Sequence, residues 1–71
     1  RGLLERRDPA GDRDAAEECH RESLRLFRAR GDRRGQSEAL NNLGILAYYR
    51  GDWPAAWEHY AESLQHERAL N

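Results

Sequence analysis

Inward-facing positions recur along this chain at spacings of three and four, and no stretch alternates at period two. Ala16, Cys19, His20, Ser23, Leu24 and Phe27 form one stripe, which predicts a helix capped by Asp12 and running to about Arg30. Gly31 ends it in the left-handed conformation that glycine adopts without steric cost. After a linker, Gly31-Asp32-Arg33-Arg34-Gly35, a helix is predicted over about Arg34–Arg50, with Ala39, Leu40, Leu43, Gly44, Leu46 and Ala47 on its apolar face. Gly44 inside that helix costs about 1 kcal/mol relative to alanine, a cost that a closely approaching neighbour explains. Gly51 stops this helix and Asp52 caps the next, from Trp53 to about Leu70. Pro54 falls in its first turn, where a missing N–H does no harm. Ala56, Tyr60, Ser63 and Leu64 are its inward residues. A short helix over about Gly2–Arg7, closed by a turn at Asp8-Pro9-Ala10-Gly11, completes the pattern. Short turns make successive helices antiparallel, so the predicted class is all-α.

The same pattern occurs twice. Gly11-Asp12-x-x-Ala15-Ala16-x-Glu18-x-x-x-Glu22-Ser23-Leu24 returns forty residues later as Gly51-Asp52-x-x-Ala55-Ala56-x-Glu58-x-x-x-Glu62-Ser63-Leu64. Leu3 with Leu43, Arg28 with Arg68 and Ala29 with Ala69 keep that offset, giving 11 identities over the 31 pairs formed by 1–31 and 41–71. A fixed period of this length marks a repeat array, in which each unit buries its apolar face against the next. Residues 1–31 read as a partial first repeat and 32–71 as a second, stacked in a short α-solenoid.

Composition narrows the function. Twelve basic and 13 acidic residues give net charge −1, without the basic excess of a nucleic-acid surface. All twelve basic residues are arginine, which we read as the codon bias of a GC-rich bacterial genome. Cys19 is the sole cysteine, so no intrachain disulfide is possible and a cytoplasmic location is expected. No apolar run approaches the roughly 18 residues of a membrane span. The chain begins at Arg1 and has no methionine, which suggests a fragment or a processed product.

Leu40-Asn41-Asn42-Leu43-Gly44, then Gly51-Asp52-Trp53, then Ala56-x-x-x-Tyr60-x-x-Ser63-Leu64 resembles the tetratricopeptide repeat. Leu43-Gly44 matches that family's Leu-Gly pair, Trp53 its turn aromatic, Ala56 its alanine, Tyr60 its helix aromatic and Ser63 its small residue. The earlier unit keeps Leu3, Gly11-Asp12 and Ala16, but has His20 at the aromatic position and Leu4 at the glycine. The forty-residue period is longer than the usual 34 or so. It is similar to the units of kinesin light chains and of MalT-like bacterial regulators, the latter most of all. The resemblance implies a concave scaffold for a peptide, a partner protein or a small inducer.

It also implies that the first helix of each unit lines the concave surface. Glu38, Asn41, Ile45, Tyr48 and Tyr49 form the stripe beside the apolar face and are the candidate partner-binding residues. Related long-repeat families place an asparagine near Asn41 or Asn42 to hold a peptide backbone, to which an amide offers both donor and acceptor. The alternative is that both asparagines only hydrogen-bond within the array; Asn41 suits the groove better than Asn42. A carboxylate clamp is not expected, because Ile45 stands where an asparagine is needed and lysine is absent. Trp53 reads as a turn-packing residue. Trp57, Tyr60 and Leu64 form a second stripe, a candidate interface for the next repeat or for a homo-oligomer. It reads equally as a surface cut by truncation.

No catalytic set emerges. Cys19 and His20 are adjacent on a helix and diverge by about 100°, and with His59 and His66 they lack the close-spaced pairs of a zinc site, so no metal or cofactor is expected. The glutamates near arginines read as surface ion pairs. Two functions follow: a non-enzymatic protein- or peptide-binding scaffold, or the inducer-sensing segment of a larger bacterial transcriptional regulator or signalling ATPase. A helix-bundle enzyme or metal carrier ranks behind both.

Overall fold

The computed structural model describes residues 9–70. Three helices fill this span: α1 (Pro9–Arg30), α2 (Arg33–Arg50) and α3 (Trp53–Leu70). The short helix expected over Gly2–Arg7 lies outside the described residues. Among those described there is no strand.

Two turns of identical build set the topology. Gly31 and Gly51 both adopt positive φ, 69° and 82°. The Gly31 N–H donates to the Arg28 carbonyl and the Asp32 N–H to the Phe27 carbonyl; Gly51 and Asp52 donate in the same way to Tyr48 and Ala47. This double closure satisfies the last helical carbonyls and turns the chain back at once. Each aspartate then caps the following helix. Asp32 Oδ1 accepts from the Gly35 N–H at 2.9 Å and Asp52 Oδ1 from the Ala55 N–H at 3.3 Å. One Gly-Asp pair therefore ends one helix and starts the next, and the expected five-residue linker shrinks to Gly31 and Asp32.

Gly11-Asp12 does not repeat this behaviour. The expected turn at residues 8–11 is corrected: Pro9, Ala10 and Gly11 open α1, and Asp12 stands in its first turn rather than capping it. Proline is compatible with a first helical turn, so Pro9 forces no break, and the Asp12 charge suits that end of the helix.

α2 is the central element. It packs on α1 along one side and α3 along the other, while α1 and α3 do not pack on each other. Leu24, Ala39, Leu40 and Leu43 form the buried cluster, with Phe27 packed against it. Phe27 fits because Gly35 has no side chain, and the Tyr60 ring lies against Gly44 for the same reason. Ala47, Ala56 and Ser63 extend the interior between α2 and α3. There Ser63 Oγ donates to the Ser37 carbonyl at 2.9 Å and lies 3.0 Å from Ser37 Oγ. Arg28 reaches across to Glu62 at 2.8 Å, tying α1 to α3.

Two stripe positions are corrected. Cys19 is exposed, not inward, and Leu64 is exposed as well. Only one described helix packs on α1 and one on α3, and a single neighbour covers a narrow sector. Cys19 and Leu64 fall at the edges of their stripes: around the helix axis Cys19 is about 140° from the buried Leu24, and Leu64 about 100° from the buried Ser63.

Candidate partner-binding face

The core face of α2 carries Gly35, Gln36, Ser37, Ala39, Leu40, Leu43, Gly44 and Ala47, all buried. Its opposite face carries Glu38, Asn41, Ile45, Tyr48 and Tyr49, all exposed. At 3.6 residues per turn these five fall within an arc of about 100°, so they form one strip along the helix. Asn42 is half-buried at the border, which leaves Asn41 as the accessible amide.

The strip has two chemically different ends. At the N-terminal end, Glu38 and Asn41 share a shallow depression with Arg34, Ser37, Glu67 and Leu70. Ser37 Oγ donates to Glu67 at 3.1 Å, which fixes the α3 carboxylate beside α2. At the C-terminal end, the Tyr48 ring lies edge-on to Trp53 with centroids 4.9 Å apart, and to Tyr49 at 5.7 Å. Trp53 thus meets Tyr48 across the turn but stays exposed, and it enlarges the aromatic end of the strip. The sequence reading did not place Arg34, Glu67 or Trp53 there. Arg34 was open to discovery, since it lies four residues before Glu38 on the same stripe; Glu67 required knowing how α3 docks.

The second stripe divides. Tyr60 is half-buried over Gly44, so its ring belongs to the α2–α3 interior. Trp57 and Leu64 point away and remain exposed. On the other side of α2, between α1 and α3, a groove is floored by Leu24, Leu40 and Leu43 and walled by Arg21, Arg25, Arg28, His59 and Glu62. Its arginines are engaged: Arg21 with Glu17, Arg25 with Glu22 and Arg28 with Glu62. The hydrogen bond from Arg25, and then its charge, hold the Glu22 carboxyl below its ordinary value.

No group of three or more His, Cys, Asp or Glu residues among those described is placed to hold a metal ion. Among the described residues no helix is long and apolar enough to cross a membrane. What the arrangement offers is a rigid helical strip with an amide in its middle, a polar depression at one end and aromatic rings at the other. No curated protein and no solved structure matches this chain. The tetratricopeptide repeat pattern matches residues 2–69. With the Tyr60 ring seated on Gly44 and paired antiparallel helices joined by Gly-Asp turns, the chain belongs to the tetratricopeptide repeat family.

Proposed function

We infer that the exposed strip of α2 is a docking surface for an extended peptide segment of a partner protein, held without chemistry. Tetratricopeptide repeats generally mediate protein–protein interaction as non-catalytic scaffolds. The observation that carries the reading is the separation of faces on α2. One side is committed to the core, yet Ile45, Tyr48 and Tyr49 on the other remain in water. Exposed apolar residues grouped on one rigid face mark interaction sites more often than scattered ones do. Asn41 in the middle of the strip offers an amide to a peptide backbone. Residues 32–71 form one full unit in this reading and 1–31 the later part of the unit before it. Trp57 and Leu64 face elsewhere and serve as the seat of a further helical hairpin.

The test is selection of binders from a random peptide library displayed on phage, followed by titration of the selected peptides. Asn41→Ala leaves helix content and melting unchanged and weakens binding about five- to tenfold, the worth of one or two hydrogen bonds. Unchanged affinity in that variant removes Asn41 from the site.

A further inference from the structure

The rings at the aromatic end of the α2 strip are open to solvent, and the arginine next to them in sequence is engaged elsewhere. Tyr48 stands nearly perpendicular to both neighbours, at 77° to Tyr49 and 85° to Trp53, so the three rings make a corner rather than a stack. They remain 50%, 67% and 60% exposed for Tyr48, Tyr49 and Trp53. Arg50 follows Tyr49 directly, yet its guanidinium is drawn away to α1. There it meets Asp14 at 2.5 Å and Glu17 at 2.6 Å. The other arginines of α2 are Arg33 and Arg34, about 20 Å away at the opposite end of the helix. Exposed carboxylates stand on the same element and its turn: Glu38 on the strip, and Asp52 immediately before Trp53.

Ring faces are the negative side of the aromatic quadrupole, and they attract a guanidinium or ammonium placed within about 6 Å of the centroid. We propose that the Tyr48–Tyr49–Trp53 corner receives an arginine or lysine side chain of the partner, so that the segment bound along α2 is basic. This rests on the strip being the docking surface. The Arg50 tether is the decisive feature. An arginine beside a tyrosine pair would otherwise fold over the rings and fill the place itself. Held by two α1 carboxylates, it leaves that place to an incoming cation. Glu38 favours a second basic residue further along the segment and disfavours an acidic one.

Peptides selected from the random library against the full chain decide the matter. Each is resynthesised with its arginines and lysines changed to citrulline, which removes the charge and keeps a side chain of similar length. Peptides rich in Arg or Lys are expected, with citrulline weakening binding about three- to thirtyfold, the range of a cation over an aromatic face. In Tyr49→Leu and Trp53→Leu that citrulline effect shrinks towards unity, while circular dichroism stays that of the parent. Selected peptides that lose affinity in Asn41→Ala but are indifferent to citrulline, proline-rich ones included, overturn the cation assignment and leave the docking strip standing. Peptides indifferent to Asn41→Ala, Tyr49→Leu and citrulline alike overturn both, as does a selection that yields no binder.

Discussion

The ring of Phe27 occupies the place where a side chain on Gly35 would begin. A β-carbon there lies 2.3 Å from Cδ1 and 2.5 Å from Cγ of that ring. Cγ is anchored next to the backbone and cannot swing clear, so the helices must part. Overpacking of this kind costs about 1–3 kcal/mol, against a gain of about 1 kcal/mol when alanine replaces glycine in a helix. Gly35→Ala is therefore expected to destabilise the protein by up to about 2 kcal/mol in denaturant unfolding. In a Phe27→Leu background the same change should cost clearly less, because the clash is with the ring. Equal costs in the two backgrounds would show that Gly35 matters for its backbone alone.

Gly35 and Phe27 also show where sequence reading reaches its limit. The helices of residues 33–70 are plain in the sequence, because Gly-Asp pairs and periodic apolar positions are local signals. The seat for the Tyr60 ring was foreshadowed by a glycine in mid-helix. Phe27 appeared as a stripe member, but its partner at the start of the next helix is a tertiary fact, and Gly35 read as a linker residue. Cys19 and Leu64 were misplaced for a related reason. Periodicity gives a stripe its axis, while its width depends on how many neighbours pack against it. On the candidate site, the α2 strip was legible from register alone. The depression with Glu67 and the corner with Trp53 depend on how α3 returns along α2.

Ser63 joins α2 and α3 through a buried hydroxyl that serves the Ser37 carbonyl and lies within bonding distance of the Ser37 hydroxyl. Removing it takes the second bond from the Ser37 carbonyl and one neighbour from the Ser37 hydroxyl, which keeps Glu67, at about 0.5–1.5 kcal/mol. Ser63→Ala should lower stability by that amount in urea unfolding. Ser37→Ala should cost less, since its own carbonyl keeps the bond from Ser63. Were both variants as stable as the parent, the pair would contribute nothing net.

The Glu22 carboxyl is held below its ordinary value near 4.5 by the hydrogen bond and charge of Arg25. A depressed carboxyl stabilises the folded chain above the unfolded-state value and loses that contribution as pH falls through the lower folded value. The window therefore begins near pH 4.5 and extends downward. Both groups are solvent-exposed, so the global melting temperature should hardly register the pair. The sensitive measurement is the Glu22 side-chain carbonyl titration by NMR, in which Arg25→Gln should return the midpoint to the ordinary value. A midpoint already ordinary in the parent would mean that the pair does not persist in solution.

Leu24 and Leu64 occupy equivalent places forty residues apart, yet one is 7% exposed and the other 46%. The difference arises because Leu24 lies on the side of α1 that α2 covers, whereas α2 packs on another side of α3 and no described helix covers the Leu64 side. Leu24→Ala removes a buried side chain from the Leu40–Leu43 cluster and should cost about 2–4 kcal/mol. Leu64→Ala removes one that is half in water and should cost under about 1 kcal/mol, since the transfer term scales with area actually buried. If the two variants melted alike at low concentration, Leu64 would have to be covered in solution. Dilution would then identify the cover: a second copy gives a Leu64→Ala penalty that vanishes as the protein is diluted, whereas packing within one chain gives a penalty independent of concentration.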